Sequence, residues 1–104
     1  MIITVQELKK KMDSDEKFIL IDVREPYEHQ EFNIGGKLIP MGSVPYALEE
    51  LESHKDEEII LYCRSGNRSG MAQEFLLQQG FKKVLNLTGG MLAWVDTFGM
   101  EQNA

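Results

Sequence analysis

The feature that most constrains this chain is an apolar run that breaks without warning into a polar, glycine-bearing loop. Ile59-Ile60-Leu61-Tyr62 is followed at once by Cys63-Arg64-Ser65-Gly66-Asn67-Arg68-Ser69-Gly70, and then by the helical pattern Met71-Ala72-Gln73-Glu74-Phe75-Leu76-Leu77. A strand with one wet face alternates apolar and polar residues. A run that is apolar at every position suits a strand covered on both faces, as in parallel sheets. Phe18-Ile19-Leu20-Ile21-Asp22-Val23 has the same character. The chain therefore has to supply helices for both sides of a sheet, and Cys63 stands where a buried strand gives way to a helix.

The remaining segments supply those helices. Ile2-Ile3 reads as a short edge strand, and Thr4 precedes Glu7 by a capping-box spacing that starts a helix over Val5 to Met12. Asp13 to Glu16 forms a turn, and Pro26 suits the first turn of a short helix through Gln30. Gly35-Gly36 breaks the chain before a brief strand, Lys37 to Pro40. Ser43 is placed to cap a helix with Pro45 in its first turn and Tyr46, Leu48 and Leu51 on its buried side. The helix after the cysteine loop begins near Asn67 and ends at Gly80, a left-handed C-cap position. Val84 to Leu87 is the last strand, and Thr88-Gly89-Gly90 turns tightly into a final helix, Met91 to Val95, that stops near Gly99. Strands alternating with short helices predict an α/β fold, a parallel or mostly parallel sheet of about five strands with helices on both faces, forming one domain over residues 1–104. In such sheets ligands sit beyond the carboxyl ends of the strands. Cys63 and the segment Asp22-Val23-Arg24-Glu25 occupy two such ends.

Composition narrows the chemistry. With 42% hydrophobic and 27% charged residues the chain has the balance of a globular protein. A net charge of −6 argues against nucleic acid as a partner, because duplex binding depends on clustered lysine and arginine. No apolar run is long enough to span a bilayer, and the N-terminal residues do not resemble a secretory signal, so no membrane role and a cytoplasmic location are expected. One cysteine permits neither an internal disulfide nor a cysteine-rich metal site. No metal or organic cofactor is expected.

A thiol reacts as its thiolate, and three features of the loop stabilise negative charge on Cys63. The amides around Ser65 and Gly66 can converge as an anion-binding nest. The helix starting near Asn67 offers its positive dipole end. Arg64 and Arg68 add full positive charge. The expectation is an ionised, partly exposed thiolate. The competing reading is a buried cysteine acting as a small hydrophobe, but the residues that follow it, Arg-Ser-Gly-Asn-Arg-Ser-Gly, are not core residues. A redox pair lacks its second cysteine, and a thiol protease lacks a suitably placed base. His54 lies in a polar surface turn, and His29, nearer the Asp22 segment, is not expected to reach the site. A cysteine phosphatase needs an arginine six positions after the cysteine. Ser69 stands there, and Arg68 comes one residue early, which makes a narrower cradle.

Ile21-Asp22-Val23-Arg24-Glu25-Pro26-Tyr27-Glu28, Ile34-Gly35-Gly36 with Ile39-Pro40, Tyr62-Cys63-Arg64-Ser65-Gly66-Asn67-Arg68-Ser69, and Leu87-Thr88-Gly89-Gly90 with Trp94 resemble, in order, the signatures of single-domain rhodaneses. The resemblance implies a rhodanese-like fold and sulfur transfer through a covalent persulfide. Cys63 would take a sulfur from a small anionic donor such as thiosulfate and yield it to a thiol or cyanide acceptor. It implies a six-residue active loop, Cys63 to Arg68, with Arg64, Ser65, Gly66, Asn67 and Arg68 binding the substrate and Asp22, Arg24 and Ser69 in support. Where the family commonly has histidine this chain has Asn33. The wording Asn33 to Pro40 is closer to rhodanese domains attached to adenylyltransferases, which hints at a protein sulfur acceptor. Two rivals remain: a persulfide carrier or interaction module loaded by another enzyme, and a cysteine phosphatase or arsenate reductase.

Asp22 and Arg24 either line the site or tie loops together by an ion pair, and the second role is the one favoured. Trp94 is expected to pack the last helix onto the sheet, with Met71, Phe75, Met91 and Leu92 in the core or at its rim. Met91 and Trp94 are also candidates for an apolar lip beside the loop.

Overall fold

The computed structural model of the chain describes residues 1–100. Five strands, β1 (Ile2–Ile3), β2 (Ile19–Asp22), β3 (Lys37–Leu38), β4 (Glu58–Tyr62) and β5 (Lys83–Leu87), form one sheet in the order β1-β5-β4-β2-β3. Every neighbouring pair is parallel. The helices are α1 (Val5–Asp13), α2 (Pro26–Glu31), α3 (Leu48–Leu51), α4 (Asn67–Gln78) and α5 (Gly90–Phe98), with 3-10 turns at Met41–Ala47 and Glu52–His54.

The absence of alternation in β4 has a direct cause. Ile59, Leu61 and Cys63 face a core shared with Leu51 of α3 and Ala72 and Leu76 of α4. Ile60 and Tyr62 face the opposite core with Leu8 of α1 and Met91 and Trp94 of α5. Each of these strand residues is at most 1% exposed, so both faces of the sheet are covered. β2 runs level with β4, Asp22 opposite Tyr62, and the amide of Val23 donates to Tyr62 O at 3.0 Å. This register brings the ends of both buried strands to one edge of the molecule.

The local signals act as their chemistry predicts at most ends. Thr4 and Glu7 form the capping box of α1, Glu7 N–H donating to Thr4 Oγ1 at 3.1 Å and Thr4 N–H to Glu7 Oε1 at 2.9 Å. Gly80 follows α4 with φ +93°. Trp94 is buried against the sheet as expected.

The segment after β3 departs from expectation. A regular helix capped by Ser43 with Tyr46 inside was predicted, but Met41–Ala47 is a 3-10 turn and Tyr46 is 88% exposed. A 3-10 turn repeats every three residues instead of 3.6, so the inward face falls on Val44 and passes on to Leu51, and Tyr46 is rotated out. Met71 and Leu92, read as core or rim, are exposed on the outer faces of α4 and α5. No helix among the described residues is long and apolar enough to cross a membrane.

Candidate active site

The chain leaves β4 at Tyr62 and enters α4 at Asn67. Gly66 takes φ +105°, a conformation open to glycine at no steric cost. This turns its amide back onto Cys63, and Gly66 N–H donates to Sγ at 3.1 Å. One turn into α4, Ser69 N–H reaches the same sulfur at 3.4 Å and Ser69 Oγ lies 3.3 Å from it. The loop carbonyls are drawn to other partners. Cys63 O accepts from Met91 N–H at 2.9 Å and Arg64 O from Leu92 N–H at 3.0 Å. Gly66 O accepts from Gly70 N–H and from Asn86 Nδ2, both at 3.0 Å. The first amides of α5 thus hold the loop's carbonyls while the loop's own amides are left for the sulfur. Gly90 makes this possible, since a Cβ there would lie 2.4 Å from Cys63 O and 2.6 Å from Arg64 O.

Two opposing effects act on the thiol. Burial raises its pKa, while hydrogen bonds from the Ser69 hydroxyl and the Ser69, Gly66 and Ser65 amides lower it; the bonds win and the pKa falls below the ordinary value.

One expectation about the site is corrected. Cys63 is 1% exposed, not partly exposed, because amides close enough to solvate the sulfur also cover it. Arg68 Nη1 and Nη2 grip Glu28 Oε1 and Oε2 at 2.7 and 2.9 Å, and the guanidinium also interacts with Cys63 through space. The guanidinium holds the Glu28 carboxyl down to about 2. Glu28 also caps α2, accepting from Glu25 N–H at 3.0 Å. Arg64 is exposed and, with Arg24, Glu28, Met91 and Leu92, lines a cavity of about 420 Å³ beside the loop. Met91 therefore takes part in the apolar lip, and Trp94 is not among its residues. Ser65 and Asn67 are exposed.

At the end of β2, Asp22 is fully buried and accepts from Arg24 N–H at 3.0 Å, Arg24 Nε at 2.9 Å and Arg24 Nη2 at 2.8 Å. Arg24 Nη2 also donates to Phe32 O at 2.7 Å. His29 Nδ1 lies 2.8 Å from Asp22 Oδ2, so the histidine joins the Asp22 cluster. Asn33 closes the turn after α2, donating to His29 O and accepting from Gly35 N–H, both at 2.8 Å. Sequence reasoning missed Asn86 and Glu28. The Glu25-to-Glu28 capping spacing was a usable signal for Glu28; a lone asparagine in a strand offers none.

A parallel α/β sheet with a cysteine cradled by amides at a strand-to-helix turn defines a thiol-centred class of protein. Within that class the chain belongs to the rhodanese-like domain family, whose profile matches residues 4–97. A sulfurtransferase of Allochromatium vinosum is 39% identical over 90 residues, covering 86% of this chain and 82% of that protein. A Bacillus subtilis protein provisionally named sulfur carrier protein YrkF is 42% identical over 93 residues, covering 88% of this chain; the chain spans 49% of that relative. The crystal structure of a rhodanese-like domain protein from Staphylococcus aureus matches with a TM-score of 0.81 and 36% identity over the whole of both chains. These names support sulfur transfer as the general activity.

Proposed function

We propose that Cys63 carries sulfane sulfur as a persulfide, accepting it from a small anionic donor such as thiosulfate and yielding it to a thiol, or to cyanide in an assay. The Cys63 thiolate attacks the outer sulfur of thiosulfate. The Sγ–S bond forms, the donor S–S bond breaks, and its electron pair leaves with sulfite. The negative charge moves one atom outward, to the terminal sulfur. An acceptor thiolate then attacks that sulfur, and the Sγ–S pair returns to Cys63. The observation that carries this reading is the convergence of the Gly66 and Ser69 amides and the Ser69 hydroxyl on a buried sulfur. A lone thiol of this kind suits a reducing compartment such as the cytoplasm.

Incubation with thiosulfate followed by intact-mass measurement tests it. One added sulfur, removed by cyanide and absent in Cys63→Ser, is the expected result. The bidentate Arg68–Glu28 pair favours a second reading, because it occupies one of the loop's two cations. In that reading Cys63 is loaded by a persulfide-bearing protein, as a carrier. No gain from thiosulfate but full loading by a cysteine desulfurase selects the carrier.

A further inference from the structure

Ser69 has one hydroxyl hydrogen and two neighbours able to accept it. Its Oγ is fully buried, 3.3 Å from Cys63 Sγ and 2.5 Å from Asn86 Oδ1. The orientation of the Asn86 amide follows from its other end. That end faces the carbonyl of Gly66 at 3.0 Å, and a carbonyl only accepts, so the atom there is Nδ2 and the atom toward Ser69 is Oδ1. Asn86 Oδ1 therefore cannot donate to Ser69, and Ser69 cannot donate to Asn86 and to the sulfur at once. Glycine at 70 makes room for the amide, since a Cβ there would lie 3.2 Å from Asn86 Nδ2.

We propose that Asn86 is a positioning residue for Cys63, and that the Ser69 hydroxyl is a hydrogen switch between them. When Sγ is neutral, Ser69 donates to Asn86 Oδ1. When Sγ is a thiolate, the hydroxyl rotates and donates to the sulfur. Placing the switch in a reaction cycle rests on the persulfide reading above. The inner sulfur of a persulfide is neutral, so the hydrogen lies on Asn86. As an acceptor thiolate attacks the terminal sulfur, the new S–S bond forms, the Sγ–S bond breaks, and its electron pair stays on Sγ. The Ser69 hydrogen turns to meet the charge that appears there. Asn86 thus holds the donor in reserve for the half-reaction that regenerates the thiolate. It also opposes ionisation of the resting thiol, because it competes for the same hydrogen.

The other charged groups about the sulfur stay constant in the test: Arg68 with its partner Glu28 from α2, Arg64 in the loop, and the Asp22–Arg24 pair at the end of β2. From β5 the side chain in contact is the neutral Asn86.

The experiment measures the rate of iodoacetamide alkylation of Cys63 against pH in the full chain. Asn86→Ala and the bulkier Asn86→Leu remove the competing acceptor, so the thiol pKa falls, by about one unit. Ser69→Ala raises it by a similar amount. The double variant Ser69→Ala/Asn86→Ala matches Ser69→Ala alone, because Asn86 acts through the hydroxyl. A merely structural Asn86, needed to tether Gly66 O, gives the opposite sign: both Asn86 variants raise the pKa, and that result overturns the proposal. So does a double variant in which the two effects add independently. Should neither Asn86 variant fold, an unchanged pKa in Ser69→Ala overturns it as well. Alkylation does not depend on sulfur transfer, so a wild-type chain that takes no sulfur from thiosulfate counts against the persulfide cycle and leaves the switch standing.

Discussion

β2 and β4 lie side by side and end level, yet each hands over to its helix with a different buried acid. β2 ends in Asp22, whose carboxylate meets the full positive charge of Arg24 at 2.8 Å, the Arg24 amide and the ring of His29. β4 leads into Cys63, whose sulfur accepts hydrogen bonds from amides and a hydroxyl, while Arg68, bonded to Glu28, acts on it only through space. A buried charge with a full counter-charge on it is fixed in place. A buried charge held by hydrogen-bond dipoles, with no counter-charge bonded to it, is stabilised and still free to form a bond. The first end locks the loops, and the second leaves its sulfur free for the transfer proposed above.

That contrast is open to test from both ends. The largest effect on stability is expected at the locked end. Asp22→Ala leaves the Arg24 guanidinium buried without its carboxylate, and removal of one partner of a buried pair costs about 3–5 kcal/mol. Urea unfolding should register most of that, and a loss under about 1 kcal/mol would place Asp22 among dispensable surface ties. At the reactive end, Gly90→Ala drives a methyl group into Cys63 O and Arg64 O. Sulfur loading should slow by on the order of a hundredfold, the scale of an ångström-sized misplacement. Gly35→Ala is the control: φ is also positive, at +94°, but nothing lies within 4 Å, so stability falls while loading persists.

A smaller effect is expected for Glu28→Gln, because the Arg68–Glu28 pair is partly solvated and such pairs contribute about 1 kcal/mol or less. Its signature is in the pH dependence. The folded pKa of Glu28 is depressed to about 2, below its unfolded value near about 4.3. Its stabilisation is therefore complete above the unfolded value and is lost as pH falls toward about 2. Acid titration of wild type should show a steeper loss across that interval than Glu28→Gln; superimposable curves would deny the pair any linkage. The last expectation concerns direction alone. The Cys63 thiol ionises below its ordinary pKa, so its alkylation rate should reach half-maximum at lower pH than that of a free cysteine thiol in the same buffer. A midpoint at or above the free thiol would mean that burial outweighs the amides.

Much of this arrangement could be read from residue order, because it depends on local chemistry. Unalternating β2 and β4 required two covered faces, and a glycine three residues after Cys63 allowed the turn that brings an amide back to the sulfur. Gly89-Gly90 foretold close backbone contact, and the contact is with the cysteine loop itself. What stayed hidden depends on register between distant segments. The amide that contests Ser69 comes from Asn86, opposite Leu61 across the β4–β5 ladder, and no spacing in the sequence announces that pairing. The partner of Arg68 lies 40 residues earlier, on α2. Counting charges in the loop therefore missed the carboxylate that shares one of them. Tyr46 was misplaced for a local reason: apolar spacing was read with a helical period of 3.6 where Pro45 sits in a 3-10 turn.

The pairing of β1 with β5 sets an order of events for the folding chain. Ile2 lies in register with Asn86, and Thr88 N–H donates to Ile3 O at 2.9 Å, so the first strand finds its neighbour only when the last has formed. Contacts so distant in sequence carry a large loop-closure cost and form slowly. The residues that restrain the cysteine loop, Asn86 and the amides of Met91 and Leu92, belong to this same late-arriving segment. During synthesis Cys63 emerges well before them. Until β5 and α5 dock, the carbonyls of Cys63 and Arg64 lack the Met91 and Leu92 amides that tie them, and the loop is held by its own strand and helix alone.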